Sequence, residues 1–306
     1  MKKLERAKRP LETTGEMRIH FRFPLSFGLV AIVPLLLTAA PLLKAQGNLA
    51  PNTHSTPGTA GASAGRSSPP TPPVVQFFDA KGVRLRYVFQ GLGEPVVLVH
   101  GLHSSGDMNW GRPGIMSALA ARYQVVALDL PGHGGSDKPE TRDAYGVRMA
   151  EDLVMLLDHL RLPRAHFVGY SLGGMVVVKL MTMFPDRVAS AVVGGMGWLR
   201  EGGGLQRMWQ RMPARGGRRT PAACVREISK LAVTEKELKT IQTPVIVLVG
   251  DRDPVKRLYV DPLRAVRADW PVVEIRGAGH LNCILQAQFL NEISKWLDKR
   301  CLPCGT

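Results

Sequence analysis

The pentapeptide Gly169-Tyr170-Ser171-Leu172-Gly173 stands at a joint between two apolar runs. His166-Phe167-Val168 leads into it, and Gly174-Met175-Val176-Val177-Val178-Lys179-Leu180 leads out. The first run reads as a strand and the second as a helix, so the serine falls on a sharp strand-to-helix turn. Such a turn projects the hydroxyl and leaves no room for a side chain two residues to either side, where this chain has glycine both times. It also sets Ser171 at a helix N-terminus, whose unpaired amides and dipole favour developing negative charge. In a chain with 32 glycines the string alone carries little weight. Its surroundings decide.

Four further segments accompany it. Val96-Val97-Leu98-Val99-His100-Gly101-Leu102 is a β-branched run ending in His-Gly, as expected for a strand buried on both faces. Val125-Val126-Ala127-Leu128-Asp129 is another, followed by the turn Pro131-Gly132-His133-Gly134-Gly135-Ser136. Pro244-Val245-Ile246-Val247-Leu248-Val249-Gly250-Asp251-Arg252-Asp253 delivers carboxylates to a strand end. Val272-Val273-Glu274-Ile275-Arg276-Gly277-Ala278-Gly279-His280 delivers a histidine. Strands alternating with helices argue for a largely parallel sheet, and ligands of such sheets gather at the carboxyl ends of the strands, where all these polar residues fall.

With these motifs the chain resembles the α/β-hydrolase superfamily, of the serine esterase and lipase type, over roughly residues 74 to 299. The resemblance implies an α/β fold with a mostly parallel eight-stranded sheet flanked by helices, and the chain departs from it in having only a small lid insertion. The order serine, acid, histidine along the chain is the order of that family. It implies Ser171 as nucleophile, His280 as general base and Asp253 as the carboxylate that orients the imidazole. The backbone N–H groups of Leu102 and Leu172 would form the oxyanion hole. The family places the acid three residues after the strand-ending glycine, which selects Asp253 and leaves Asp251 to form the turn. The alternative position, one strand earlier, reads Gly194-Gly195-Met196-Gly197-Trp198 and holds no carboxylate. Relatives that open epoxides or remove halides use aspartate as nucleophile; serine here favours acyl transfer. Trp110, Leu102, Met196 and Trp198 are candidate pocket walls.

The remaining histidines read as structural. His100 is expected to order the oxyanion loop, His133 to belong to its turn, and His103 to pack at the surface beside the loop. His159 and His166 flank the connection Arg161-Leu162-Pro163-Arg164, where solvated residues are expected. No G-x-G-x-x-G follows a strand in a dinucleotide-binding context and no ligand set suggests a metal, so neither cofactor nor metal is expected. Of the four cysteines, a Cys224–Cys283 or Cys301–Cys304 disulfide is open, since connectivity does not follow from sequence.

Residues 1–45 read as an export signal or membrane anchor. Lys2, Lys3, Arg6, Lys8, Arg9, Arg18 and Arg22 precede an uncharged, apolar stretch from Pro24 to Leu43. Met17 offers a second start. A periplasmic or extracellular location follows, with anchoring by the N-terminal segment as the rival. Residues 46–73, rich in Pro, Ser, Thr, Gly and Ala, have too little apolar surface to offset ordering and read as a flexible spacer. Residues 74–306 then form one hydrolase domain. It opens on a hairpin of Val74–Asp79 and Val83–Gln90, and Val147, Ala150, Leu153, Val154, Leu157 and Leu160 mark a helix.

The lid insertion is expected at about 196–243, short and partly mobile, with the run Arg211-Met212-Pro213-Ala214-Arg215-Gly216-Gly217-Arg218-Arg219. Formal charge is +15, and most of it lies beyond the leader. A basic lid suits anionic substrates or a membrane surface. Nothing resembles a nucleic-acid-binding motif. Three functions fit: hydrolysis of a small-molecule carboxylic ester or lactone, the same residues used for carbon–carbon bond hydrolysis or cofactor-free perhydrolysis, or a non-catalytic ligand-binding protein of hydrolase fold.

Overall fold

The computed structural model describes residues 72–212 and 220–300. The expected export segment, nearly all of the spacer, residues 213–219 of the basic run and the Cys301–Cys304 pair lie outside them. The described chain opens on β1 (Val74–Ala80) and β2 (Val83–Gln90), paired antiparallel with Ala80 opposite Val83. Lys81 and Gly82 join them, both at positive φ (50° and 86°). That is the hairpin turn whose twist matches the strands it connects.

Strands and helices then alternate: β3 (Pro95–Val99), α1 (Ile115–Ala120), β4 (Gln124–Leu128), α2 (Val147–His159), β5 (Ala165–Tyr170), α3 (Leu172–Met183) and β6 (Val188–Gly194). Three short helices, α4 (Gly204–Arg211), α5 (Ala222–Glu227) and α6 (Glu235–Thr240), lie between β6 and β7 (Val245–Gly250). The fold closes with α7 (Asp261–Val266), β8 (Val272–Ile275) and α8 (Ala287–Asp298). The eight strands form one sheet in the order β1-β2-β4-β3-β5-β6-β7-β8. Pairing is antiparallel for β1–β2 and β2–β4 and parallel from β4 onward.

The continuous apolar runs have a simple cause. On β3, Val97 and Val99 join a core shared with α2 and α3, while Val96 and Leu98 join a second core shared with α1 and α8. Val247 and Val249 of β7 divide from Ile246 and Leu248 in the same way. Both faces are covered, so no position on these strands is left for a polar residue. Each fully buried Val or Leu contributes roughly 1.5–3 kcal/mol. In α2, Ala150, Leu153 and Leu157 of the expected stripe, with Met149 and Leu156, face the first core.

Two expectations fail here. His166 is buried rather than solvated, because it lies on β5 with both neighbouring strands paired. Its Nδ1 sits 2.7 Å from Ser190 Oγ and its Nε2 3.4 Å from a Glu94 carboxylate oxygen. Cys224 and Cys283 are both free. They belong to the cores on opposite faces of the sheet, so no disulfide can join them. Burial pushes each thiol up to about 12. Among the described residues, no helix is long and apolar enough to cross a membrane.

Candidate active site

Ser171 occupies the tip of the turn between β5 and α3, at φ 54° and ψ −115°. Only glycine adopts that backbone readily, and holding another residue there costs on the order of 1–3 kcal/mol. The flanking glycines make the turn possible. A Cβ on Gly169 would lie 2.4 Å from the Gly173 carbonyl oxygen, and one on Gly173 would lie 2.1 Å from the Val99 carbonyl oxygen. Both obstacles are backbone and cannot swing aside. Gly173→Ala is therefore expected to cost about 3 kcal/mol, the upper end for overpacking. In a thermal melt that lowers Tm by roughly 6–12 °C for a domain of this size.

His280 follows β8 and Asp253 follows β7. The Ser171 hydroxyl lies 3.0 Å from His280 Nε2, and His280 Nδ1 lies 2.8 Å from Asp253 Oδ2. With its Nδ1 proton donated to the carboxylate, the imidazole presents an unprotonated Nε2 to the hydroxyl. Asp253 is buried, and its second oxygen accepts the Val255 N–H at 2.9 Å. Both lone-pair faces are committed, so the carboxylate cannot turn away from the ring. Ser171 and His280 are partly exposed.

The loop after β3 runs directly against the serine: a Cβ on Gly101 would lie 3.2 Å from Ser171 Cβ. Leu172 is the first residue of α3, so its N–H has no intrahelical acceptor. Among the described residues, no hydrogen bond engages the Leu102 N–H. Several side chains fix this loop. His100, fully buried, donates from Nδ1 to the Gly101 carbonyl at 2.8 Å and accepts the Leu130 N–H on Nε2 at 3.0 Å. Burial holds its pKa below the usual value, so it stays neutral. Asn109 Oδ1 accepts the Gly101 N–H at 2.9 Å. Asp129, at the end of β4, accepts the Gly106 N–H at 2.7 Å, the Gly135 N–H at 2.9 Å and the Arg86 guanidinium at 3.0 Å. It ties the loop to the Pro131–Ser136 turn.

The other histidines of the neighbourhood are held in place too. His103, partly buried and at φ 60°, contacts Thr220 of the insertion through Nδ1 at 3.0 Å. His133 donates from Nδ1 to the Pro131 carbonyl at 3.0 Å, and burial beside His100 drives its pKa down to about 3.

Sequence reasoning missed Asp251. Instead of merely shaping its own turn, it accepts the Gly277 N–H at 3.0 Å and the Ala278 N–H at 3.2 Å. It thereby clips the loop carrying Asp253 to the loop carrying His280. Asn109 and Tyr170 were also missed as parts of the site. No local signal marks any of the three: Asp251 and Tyr170 act between segments distant in sequence, and Asn109 acts through the fold of its own loop.

The candidate pocket walls divide. Leu102 is half-buried on the loop beside Ser171. Met196 is buried in the first core, with its Cβ 3.0 Å from where a Cβ on Gly174 of α3 would be. Trp110 is fully buried in the core under α1, so it braces the loop from beneath rather than facing a ligand. Trp198 is also buried, and its indole N–H is donated to the Val233 carbonyl at 2.8 Å, binding the two ends of the insertion.

The family described as alpha/beta hydrolase fold matches residues 94–226, the span from β3 through the serine turn into the insertion. The fold is that of the α/β hydrolases. Over 121 residues this hydrolase-fold chain is 41% identical to Epoxide hydrolase A of Mycobacterium tuberculosis, covering 39% of this chain and 37% of that protein. Over 101 residues it is 45% identical to the dihydrolipoyllysine-residue acetyltransferase component of the acetoin cleaving system of Pseudomonas putida, covering 32% and 25%. The match thus spans only about a quarter to just over a third of these relatives. Among solved structures, E-2-(acetamidomethylene)succinate hydrolase superposes with a TM-score of 0.63 at 22% identity, over 74% of this chain and 99% of that one. That likeness is one of fold.

The insertion is basic on its described surface: Arg200, Arg207, Arg211 and Arg226 are exposed. Arg142, Arg226 and Lys230 line a cleft of about 460 Å³ with Gln210, Met212 and Ser229. Beneath it the buried Glu227 carboxylate pairs with Arg142 and Lys230, each at 2.5 Å. Two of the three cations are held in fixed positions, and the cleft keeps a net positive charge.

Proposed function

We propose that this chain is a serine hydrolase that cleaves a carboxylic ester or lactone through an acyl-serine intermediate. The observation that carries the reading is the unbroken line from Ser171 Oγ to His280 Nε2 at 3.0 Å and from His280 Nδ1 to Asp253 at 2.8 Å. His280 takes the hydroxyl proton as the serine oxygen attacks the ester carbonyl. The carbonyl oxygen, now an oxyanion, is received by the N–H groups of Leu102 and Leu172. Collapse breaks the bond to the alkoxide, which leaves with the proton carried by His280. Water, deprotonated by the same imidazole, then attacks the acyl-serine and releases the carboxylic acid and the free serine. Asp253 supports the imidazolium in both halves without itself becoming protonated.

Hydrolysis of p-nitrophenyl esters of increasing acyl length by the full chain tests this. Release of p-nitrophenol by the wild-type chain, lost in His280→Ala, is the expected result. Turnover of a vinylogous diketone but of no ester in the series would instead favour carbon–carbon hydrolysis. The cationic cleft and the exposed arginines of the insertion support acidic esters as the preferred substrates. Added salt is expected to lower kcat/KM for a succinate half-ester more than for a neutral ester. Export to the periplasm or beyond belongs to the same proposal, supported by the basic start and the apolar stretch from Pro24 to Leu43.

A further inference from the structure

Tyr170 precedes the nucleophile in the chain, yet its side chain reaches the opposite loop. Its hydroxyl donates to the main-chain carbonyl of His280 at 2.5 Å. Its ring lies 5.7 Å from the imidazole, tilted by 32°, and meets Phe289 of α8 edge-on at 5.7 Å. The residue is buried, and that burial holds its pKa well above the ordinary tyrosine value, so it stays a neutral donor. Phe289 belongs to the core on the α8 face, which fixes the ring from behind.

The glycine pair at the end of β6 makes room for this arrangement. A Cβ on Gly194 would lie 3.0 Å from the Tyr170 ring, and one on Gly195 would lie 2.8 Å from it. The Gly194 carbonyl accepts the N–H of Ser171 at 2.8 Å, so the same strand end that seats the tyrosine also seats the nucleophile. The sequence shows Gly194-Gly195 only as a place where an acid is missing. In the fold it is the bed of an aromatic ring.

We propose that Tyr170 is a positioning residue, holding the His280 main chain and imidazole in register with the neighbouring Ser171 hydroxyl. The inference rests on the serine-hydrolase reading of the site for its kinetic consequence, but its geometry does not depend on that reading. Asp251 fixes the same loop two and three residues before the histidine, through Ala278 and Gly277. Tyr170 supplies the anchor at the histidine itself. The seated imidazole takes the serine proton at Nε2 and gives it to the leaving group from the same nitrogen, and small displacements of such a group cost rate rather than binding.

Tyr170→Phe keeps the ring and removes the anchor. The expected result is a kcat lower by about tenfold with KM for a p-nitrophenyl ester unchanged, the factor corresponding to one hydrogen bond. The downfield proton resonance of His280 Nδ1–H, hydrogen-bonded to Asp253, should broaden as the ring becomes mobile. Tyr145→Phe is the matched control: it too removes a tyrosine hydroxyl donated to a loop carbonyl, that of Pro139 at 2.7 Å. It should leave kcat and the resonance as in wild type. A wild-type kcat and a sharp resonance in Tyr170→Phe would overturn the inference, as would equal losses in both variants. Should the wild-type chain turn over no ester, the hydrolase reading fails while the resonance still decides the role of Tyr170.

Discussion

Ser171→Ala is expected to abolish the proposed ester turnover, with kcat lower by on the order of 10⁶, while the fold and the melting temperature are kept. Losses this large are expected because the hydroxyl is the atom to which the acyl group bonds, and no other nucleophile adjoins His280 Nε2 among the described hydrogen bonds. What remains is the contribution of the two N–H donors and of substrate binding. A companion variant separates function from folding. Ser171→Gly is equally inactive, but it relieves the backbone at φ 54° and ψ −115°, a conformation only glycine adopts without strain. It should therefore be more stable than Ser171→Ala by about 1 kcal/mol or more in denaturant unfolding. Equal stability of the two would mean that the turn stores no strain at the nucleophile.

Asp253→Asn is expected to give the second large effect, a fall of about 10⁴ in kcat with little change in fold. The carboxylate makes two bonds that an amide can only partly copy. Its Oδ1 can still be replaced by an acceptor for the Val255 N–H at 2.9 Å. The remaining NH₂ group then faces His280 Nδ1 and donates to it, where the carboxylate accepted. That places the imidazole proton on Nε2, pointing at the serine, and the ring can no longer take the hydroxyl proton. Among the described ion pairs, Asp253 is the carboxylate that reaches the His280 ring. Asp251, on the same loop, is committed to the Gly277 and Ala278 amides. Rescue of more than a small fraction of activity in Asp253→Asn would show that Asp251 or another carboxylate takes over.

The strands were legible because two-sided burial writes itself into composition. Val96–Val99, Val125–Leu128 and Val245–Val249 are apolar at every position since each successive side chain enters one of two cores. The α2 stripe was legible because one face of that helix packs and the other does not. Ser171, Asp253 and His280 were picked out together because the resemblance to the α/β hydrolases supplies their order along the chain.

Contacts across the sheet rim could not be read in the same way. Which side of its loop Trp110 faces depends on the packing of α1, and it faces the core. His166 seemed solvated from its neighbours in sequence, but its surroundings are Ser190 and Glu94, which only strand pairing brings near. Asn109 and Asp251 carry no motif, and the pentapeptide marks Tyr170 only as the residue before the serine. Each is recognisable only once the loops after β3, β5, β7 and β8 stand side by side.

Covalent labelling tests the central claim most directly. The full chain is treated with a fluorophosphonate and digested, and the modified peptide is located by mass spectrometry. The expected result is a single phosphonyl adduct on Ser171, formed in wild type and lost in Asp253→Asn and in His280→Ala at matched exposure times. An adduct on a different serine, or none on a folded wild-type protein, would contradict a Ser171 nucleophile activated by His280.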